Sequence, residues 1–495
     1  MRNYDVVIIG GGLGGLECGV ILSREGMKVC VLEQHHTIGG NLQSFSREGR
    51  IFDTGMHYFG CMGEGEYLHK YMTYFGIAGK LKLKQLDTDG FEVLSFGDEL
   101  TEYVFSQGWE NYIYGLTAQF PEENKAIRAY SKEVKKIASD FPLYSSGAVS
   151  SFRIPMETLR RCALDILNGI TANNRLRNML AGSLSLYPGK PGKTPFYIHA
   201  MMRDSLITSC WRPVDGSQQI ADRLAEQIQE NGGEVFTSHE VEEIIIENDT
   251  AEAVRLKSGE RVSGKYFISN VHPATTMSMI PEGKIRKFYR KRITSLENTD
   301  GAFIVYAVLE KGRFPYLNKN YFHYENGGVL MPPGDAWPGN YYFYTPASSH
   351  SDAYADSFMV MADMKFDEVR QWAGTRVNKR NEAYDDFKAS RAERLLQLLE
   401  KRFPGIRSAI LKTYTSTPLT FRDYTGTHEG SAYGILKDCM DPLRSIILPR
   451  TKISNLLFTG QNLNLHGMMG VTAGSVITCS EILGLEYLTN KINHG

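Results

Sequence analysis

Val6 to Ile9 form a short unbroken apolar run, and directly behind it stands Gly10-Gly11-Gly12-Leu13-Gly14-Gly15. A run of this kind stopped by glycine reads as a buried parallel strand. Gly10, Gly12 and Gly15 have the spacing G-x-G-x-x-G. Leu16, Val20 and Leu22 then mark the apolar side of a helix that Gly26 ends; Lys28 to Leu32 reads as a second strand, and Glu33 follows at once. The whole is a β-α-β unit of about 30 residues with an acid about 20 positions past the glycines, the fingerprint of a dinucleotide site. The first glycine permits a tight turn, the second lets backbone approach a pyrophosphate, and the third lets helix and strand pack closely. The helix N-terminus turns N–H groups and partial positive charge toward the phosphates. Glu33 is placed to accept from ribose hydroxyls, which suits FAD or NAD and disfavours a 2′-phosphate.

A second glycine pair, Gly39-Gly40, stands six residues past Glu33 and leads into "REGRIFDTGMHYFG". A nicotinamide dehydrogenase has no evident use for it. Flavoproteins of the phytoene desaturase and amine oxidase superfamily carry such a pair, and the sequence resembles them. There the pair lets the chain run beside the flavin. The arginine usual after the pair is Asn41 here, and Asp215-Gly216 stands where a glycine pair is usual.

The 495 residues allow two or three domains and a sizeable core. Lysine plus arginine number 55 against 56 aspartates and glutamates, a net charge of −1 that gives no pull toward nucleic acid. The seven cysteines are scattered, none in C-x-x-C. With no recognisable leader they read as reduced thiols of a cytoplasmic protein. No apolar stretch is long enough to span a membrane, and no metal-ligand spacing is present; His35-His36 reads as a solvated loop.

Along the chain, residues 64–210 read as a mostly helical insertion, with helical periodicity in "NKAIRAYSKEVKKIASDF" and "METLRRCALDILNGI" and a turn-rich connector from Tyr187 to Pro195. Residues 211–280 return to α/β grammar: a turn at Asp215-Gly216, an amphipathic helix over Ile220 to Ile228, a strand at Val235-Phe236, one starting at Val241, and a hairpin turning at Ser258-Gly259. Residues 281–420 carry short aromatic-rich strands and one clear helix, expected to form a sheet over a cavity. The end repeats strand, glycine loop and helix: Leu456 to Phe458, then Gly467, Gly470 and Gly474. The fold class expected is α/β, a Rossmann-type FAD-binding domain of the glutathione reductase and amine oxidase kind with an inserted α+β substrate domain. The division is 1–63, 211–280 and 421–495 for FAD binding, and 64–210 with 281–420 for the substrate cap.

"FDTGMHYFG" (Phe52 to Gly60), "TPLTFRDYTGTHEGSAYG" (Thr417 to Gly434) and "TGQNLNLHGMMGVTAGS" are similar to one branch of the superfamily, the retinol saturases, carotenoid isomerases and bacterial phytoene desaturases. The resemblance runs from Tyr4 to about Leu488. It implies FAD contacts from Gly10, Gly12, Leu13, Gly14 and Gly15, from Glu33 and Gln34, and from Gly39, Gly40 and Asn41. Further contacts implied are Gly55, Met56 and His57, Val241 and Asn270, then Gly460, Gln461, Met469, Gly470, Val471 and Thr472. It also implies a hydrophobic small-molecule substrate of isoprenoid or polyene type. The activity expected is reduction of a C=C bond; a desaturase, a redox-neutral isomerase, and a prenyl-lipid carrier like the GDP dissociation inhibitors are the alternatives.

A saturase needs a proton for the second carbon, and the candidates are His57, Tyr58, Tyr433 and His466. No second G-x-G-x-x-G is evident, so the electron donor is expected to be transiently bound NAD(P)H or another protein. "GKIRKFYRKRI" (Gly283 to Ile293) is the strongest basic cluster. It reads either as a helix resting on anionic lipid, which would make the protein peripheral at the inner face of a membrane, or as a solvated face with its apolar side in the core. The sequence leaves the oligomeric state open.

Overall fold

The computed structural model describes residues 2–99, 101–141, 143, 154–182, 189–190, 192–325, 327–330 and 337–494; part of the connector Tyr187 to Pro195 lies outside the described residues. Two seven-stranded sheets organise them. In the first, Arg2–Ile9 runs parallel to Val29–Leu32 on one side and to Arg261–Ser269 on the other, with Glu234–Phe236 parallel to Val29–Leu32 at the edge. Val6 to Ile9 is buried, as a central parallel strand covered on both faces must be. Strand Arg261–Ser269 serves two neighbours. Its first residues pair antiparallel with Thr250–Leu256, which continues to Val241–Glu247, and its last three pair parallel with Leu456–Phe458. One sheet is thus assembled from three distant parts of the chain.

The second sheet runs Ile410–Ser416, Gly301–Leu309, Ser357–Met364, Asn340–Tyr344, Asn320–Tyr324, Glu92–Phe96, Tyr103–Phe105. All its pairs are antiparallel except Asn320–Tyr324 with Glu92–Phe96.

Several expectations need correction. The stretch 64–210 is mostly helical, as expected, but it also contributes the unexpected strands Leu83–Gln85, Glu92–Phe96 and Tyr103–Phe105. Glu92–Phe96 is buried at every position, so it lacks the polar alternation of a half-exposed strand, and its leading charge is neutralised by Arg203. "METLRRCALDILNGI" is two helices, Met156–Arg160 and Ala163–Ile170, parted by extended backbone at Arg161. The boundary placed between 210 and 211 falls inside strand Cys210–Pro213, which pairs with Phe59–Gly60 and Leu83–Gln85. Helix Phe196–Thr208, strand Ile410–Ser416 and helix Leu485–His494 are additions to the elements expected from the sequence. Phe196–Thr208 is buried on all sides, so no polar face betrays its period.

Asp215, where the resembling proteins have glycine, takes φ 61°. Aspartate tolerates this left-handed conformation, and here its carboxylate accepts from Ser349 N–H at 2.9 Å.

Candidate functional site

The two glycine turns lie against each other. Gly39 N–H donates to Gly11 O at 2.7 Å, and a Cβ on Gly40 would stand 3.4 Å from Gly12 Cα. Gly10 has φ 98°, and a Cβ on Gly15 would sit 2.1 Å from Gly10 O, so that neither position accepts a side chain without a change of backbone. Glu33 anchors the loop from below: Oε2 accepts from Gly11 N–H and Oε1 from His35 N–H, both at 2.8 Å. Asn270 donates from Nδ2 to Gly10 O at 3.3 Å. Asn41 contributes backbone: its carbonyl accepts from Met56 N–H at 3.1 Å and holds the turn at Gly55-Met56.

Two helices begin here without a side-chain cap. Leu13–Arg24 follows Gly12, and Gly467–Leu483 follows His466. Their first N–H groups are left for an acceptor other than a capping side chain. The helices cross on a buried acid: Glu17 lies 2.6 Å from Thr472 Oγ1 and 2.9 Å from Ser475 Oγ. Each hydroxyl also lies within 3.0 Å of a carbonyl one turn back, Met468 O and Val471 O. A hydroxyl has one proton, so a hydroxyl that donates to its carbonyl can only accept from Glu17. Burial raises the Glu17 carboxyl to about 8, in keeping with a neutral acid.

One cavity of about 410 Å³ connects these parts. Of the sequence-predicted residues, its walls include Gly10, Gly12, Leu13, Gly14, Glu33, Gln34, Gly39, Gly40, Asn41, Gly55, Met56, His57, Tyr58, Val241, Asn270, Tyr433, Gly460, Gln461, His466, Met469, Gly470 and Val471. Gly15 and Thr472 do not line it. Gly15 is the helix–strand contact behind the loop, and Thr472 faces Glu17. The glycine turns and both helix starts gather around one part of the cavity. Another part is walled by Ile198, Met201, Met202 and Leu206 of the buried helix Phe196–Thr208, and by Phe322, Tyr342 and Met361 of the second sheet. Sequence reasoning missed this apolar wall, because it joins a helix without a polar face to strands that pair only in three dimensions.

The four proton-donor candidates all reach the cavity and differ in chemistry. His57 Nδ1 lies 3.0 Å from Gly55 O, and a carbonyl only accepts, so the ring's proton is on Nδ1 and committed. Burial, then the Arg212 charge, pull the His57 imidazole down to about 3, so it stays neutral. Its ring stacks on Tyr344 at 4.6 Å. Tyr58 donates to Glu92 Oε1 at 3.0 Å, and Glu92 Oε2 accepts from Arg203 Nη1 at 2.6 Å. Burial and then the charge at Glu92 push the Tyr58 phenol up. Burial pulls His466 down to about 3, with the Lys437 charge adding to it. The Tyr433 ring lies 4.8 Å from that of His466, and among the described residues its hydroxyl makes no hydrogen bond. Burial holds the Tyr433 phenol protonated.

Among the described residues no cluster of histidine, cysteine and acidic side chains could hold a metal, all seven cysteines are free and buried, and no helix is long and apolar enough to cross a membrane. Helix Lys287–Thr294 in the basic cluster buries Ile293 and leaves Phe288 82% exposed.

Comparison with known proteins agrees with this geometry. The family model described as flavin containing amine oxidoreductase matches residues 13–482. All-trans-retinol 13,14-reductase of Rattus norvegicus is 26% identical over 528 aligned positions, covering 97% of this chain and 86% of that protein. The chloroplastic prolycopene isomerase of Daucus carota is 25% identical, covering 88% of this chain and 72% of that one. Among solved structures, an oxidoreductase from Methanosarcina mazei superposes with a TM-score of 0.66 at 17% identity over 95% of this chain and 98% of its own, a likeness of fold.

Proposed function

The chain belongs to the family of flavin containing amine oxidoreductases, and from that premise we propose that it is an FAD-dependent saturase that reduces a C=C bond in a hydrophobic isoprenoid or polyene substrate. The observation that carries this is the union, in one cavity, of a channel lined by glycine turns and two uncapped helix starts with an apolar compartment walled by Met201, Met202, Leu206 and Phe322. The channel residues fit the cofactor: Gly10, Gly12, Gly14, Gly39 and Gly40 line it with bare backbone, the first helix starts there without a side-chain cap, and Glu33 lies in the same wall. FAD held there would supply hydride chemistry at a conjugated double bond. The similarity to a retinol 13,14-reductase supports the saturating direction.

In this scheme the first helix start and the glycine turns hold the pyrophosphate, Glu33 and Gln34 the ribose end, and Gly460, Gln461, Met469 and Gly470 the flavin end. The apolar wall excludes water and aligns an elongated substrate. Tyr433 delivers the proton, since the proton of His57 is committed to Gly55 O and that of Tyr58 to Glu92, and burial keeps His466 from taking up the second proton an imidazolium donor needs. The electron donor is transiently bound NAD(P)H or a partner protein. The FAD domain comprises 1–63, 211–280 and 421–495 and the cap 64–210 with 281–420, a division supported by the three-part first sheet except at 210/211, where strand Cys210–Pro213 joins the two. The protein works in the cytoplasm, peripheral to a membrane that it touches through Phe288 and its neighbours.

Anaerobic incubation of the reduced, FAD-loaded protein with retinoids, carotenoids and enone lipids tests the reading by mass spectrometry. A product heavier by two hydrogens is expected. A product lighter by two identifies a desaturase, and unchanged mass with shifted retention an isomerase. Tyr433→Phe should lower the rate with little change in substrate affinity.

A further inference from the structure

Ala274 N–H donates to His272 Nδ1 at 3.1 Å, where the imidazole caps helix Pro273–Met279. A backbone N–H can only donate, so His272 Nδ1 carries a lone pair. The ring is 7% exposed, and burial together with neighbouring His428 keeps it neutral. Its single proton is therefore on Nε2, which lies 2.9 Å from Asn298 Oδ1. The Asn298 amide must then present its oxygen to His272 and its nitrogen to the other side, where Nδ2 lies 3.1 Å from His428 Nδ1. An amide nitrogen only donates, so His428 Nδ1 accepts. One backbone N–H thus fixes the polarity of three side chains in series and leaves the His428 proton on Nε2. The two imidazoles stack with centroids 4.8 Å apart and planes 23° from parallel. Among the described residues His428 Nε2 has no hydrogen-bond partner.

The place of this relay gives it a use. Both imidazoles line the cavity. Val271, just before His272, would meet a Cβ on Gly10 at 3.0 Å, so the His272 end stands beside the first glycine turn. Two residues before His428, a Cβ on Gly426 would lie 2.8 Å from Gln34 Nε2, and Tyr424 meets the His35 ring edge-on at 6.4 Å. The segment 424–428 therefore crosses the glycine-lined channel from the Gln34 rim to the His272 rim. We propose that His428 is a binding residue for the dinucleotide phosphates, donating from Nε2 to a phosphate oxygen, and that His272 and Asn298 are positioning residues that hold its tautomer. This rests on the FAD reading above, and it adds a side-chain donor to the backbone N–H groups that line the channel.

The test uses the full chain, stripped of flavin and titrated with FAD, ADP and adenosine, with histidine tautomers read by nitrogen NMR. His428 in the unliganded wild type is expected as the Nε2–H tautomer. His428→Phe should weaken FAD and ADP about tenfold and leave adenosine unchanged, whereas His428→Gln, whose side-chain amide can still donate, should stay within about threefold of wild type. An Nδ1–H tautomer in the wild type overturns the proposal even if a variant fails to fold. So does FAD affinity unchanged in a folded His428→Phe, or an equal loss for adenosine. If the wild type itself takes up no FAD, the functional reading falls and the proposal with it, whereas wild-type uptake that His428→Phe does not weaken defeats the proposal alone.

Discussion

Gly14 and Gly460 touch. A Cβ on Gly14 would stand 3.0 Å from the Gly460 Cα and 2.8 Å from Asn270 Oδ1. The first glycine turn and the last strand–loop–helix therefore meet at one point of the cavity wall, although nearly the whole chain lies between them. Gly14→Val forces a branched side chain into backbone that has little freedom to yield. FAD affinity, read by quenching of flavin fluorescence, should fall by about tenfold or more.

Glu17 predicts a pH signature. Burial raises its carboxyl to about 8 in the folded protein, above the ordinary glutamate value of 4.5. The stability this proton confers is complete below pH 4.5 and declines as pH rises toward 8, because over that window the unfolded chain releases a proton the folded chain keeps. Glu17→Gln keeps the shape without the titration. It should flatten the fall in melting temperature between about pH 5 and 8, by on the order of a few kcal/mol in stability, without lowering stability at acid pH.

Arg203 and Glu92 weld the buried helix Phe196–Thr208 to the second sheet, and both are fully buried. Among the described residues Arg203 Nε and Nη2 have no hydrogen-bond partner, so Glu92 is the one carboxylate that compensates the guanidinium, with the Phe105 ring facing it at 4.4 Å. Glu92→Gln should destabilise the protein by about 3–5 kcal/mol in denaturant unfolding. Glu92→Gln combined with Arg203→Met should recover most of that loss, since the uncompensated charge leaves with the arginine.

Phe288 is 82% exposed, Met440 76%, Leu443 65% and Leu448 64%. Arg292 donates to Arg444 O at 3.1 Å, which brings helix Lys287–Thr294 against Pro442–Ser445 and sets Phe288 and Leu443 on neighbouring elements beside Lys287 and Lys291. Sedimentation with vesicles containing phosphatidylserine should carry the protein down at low salt. Phe288→Ser with Leu443→Ser should reduce the bound fraction severalfold while leaving FAD content unchanged.

The parts legible in the sequence are the ones whose physics is local. The strand–glycine–helix–strand–Glu33 unit declares itself because each turn, helix start and strand is specified within a few residues, and the same holds for the hairpin at Ser258-Gly259 and helix Gly467–Leu483. The apolar compartment was not legible. Glu92 opens a strand with a charge whose partner is 111 positions away, and the parallel mate of that strand, Asn320–Tyr324, is still farther along the chain. His57 and Tyr58 could be picked as polar groups near the cavity, but their hydrogen bonds, to Gly55 O and Glu92, decide their chemistry and exist only in the fold. The His272–Asn298–His428 series is invisible for the same reason.

The measurement that bears most directly on the whole account is FAD titration of the folded, flavin-free chain, followed by the visible flavin absorbance retained after gel filtration. Equimolar retention of FAD with a perturbed flavin spectrum is predicted. A chain that is folded by circular dichroism yet stays colourless and retains no FAD would contradict it.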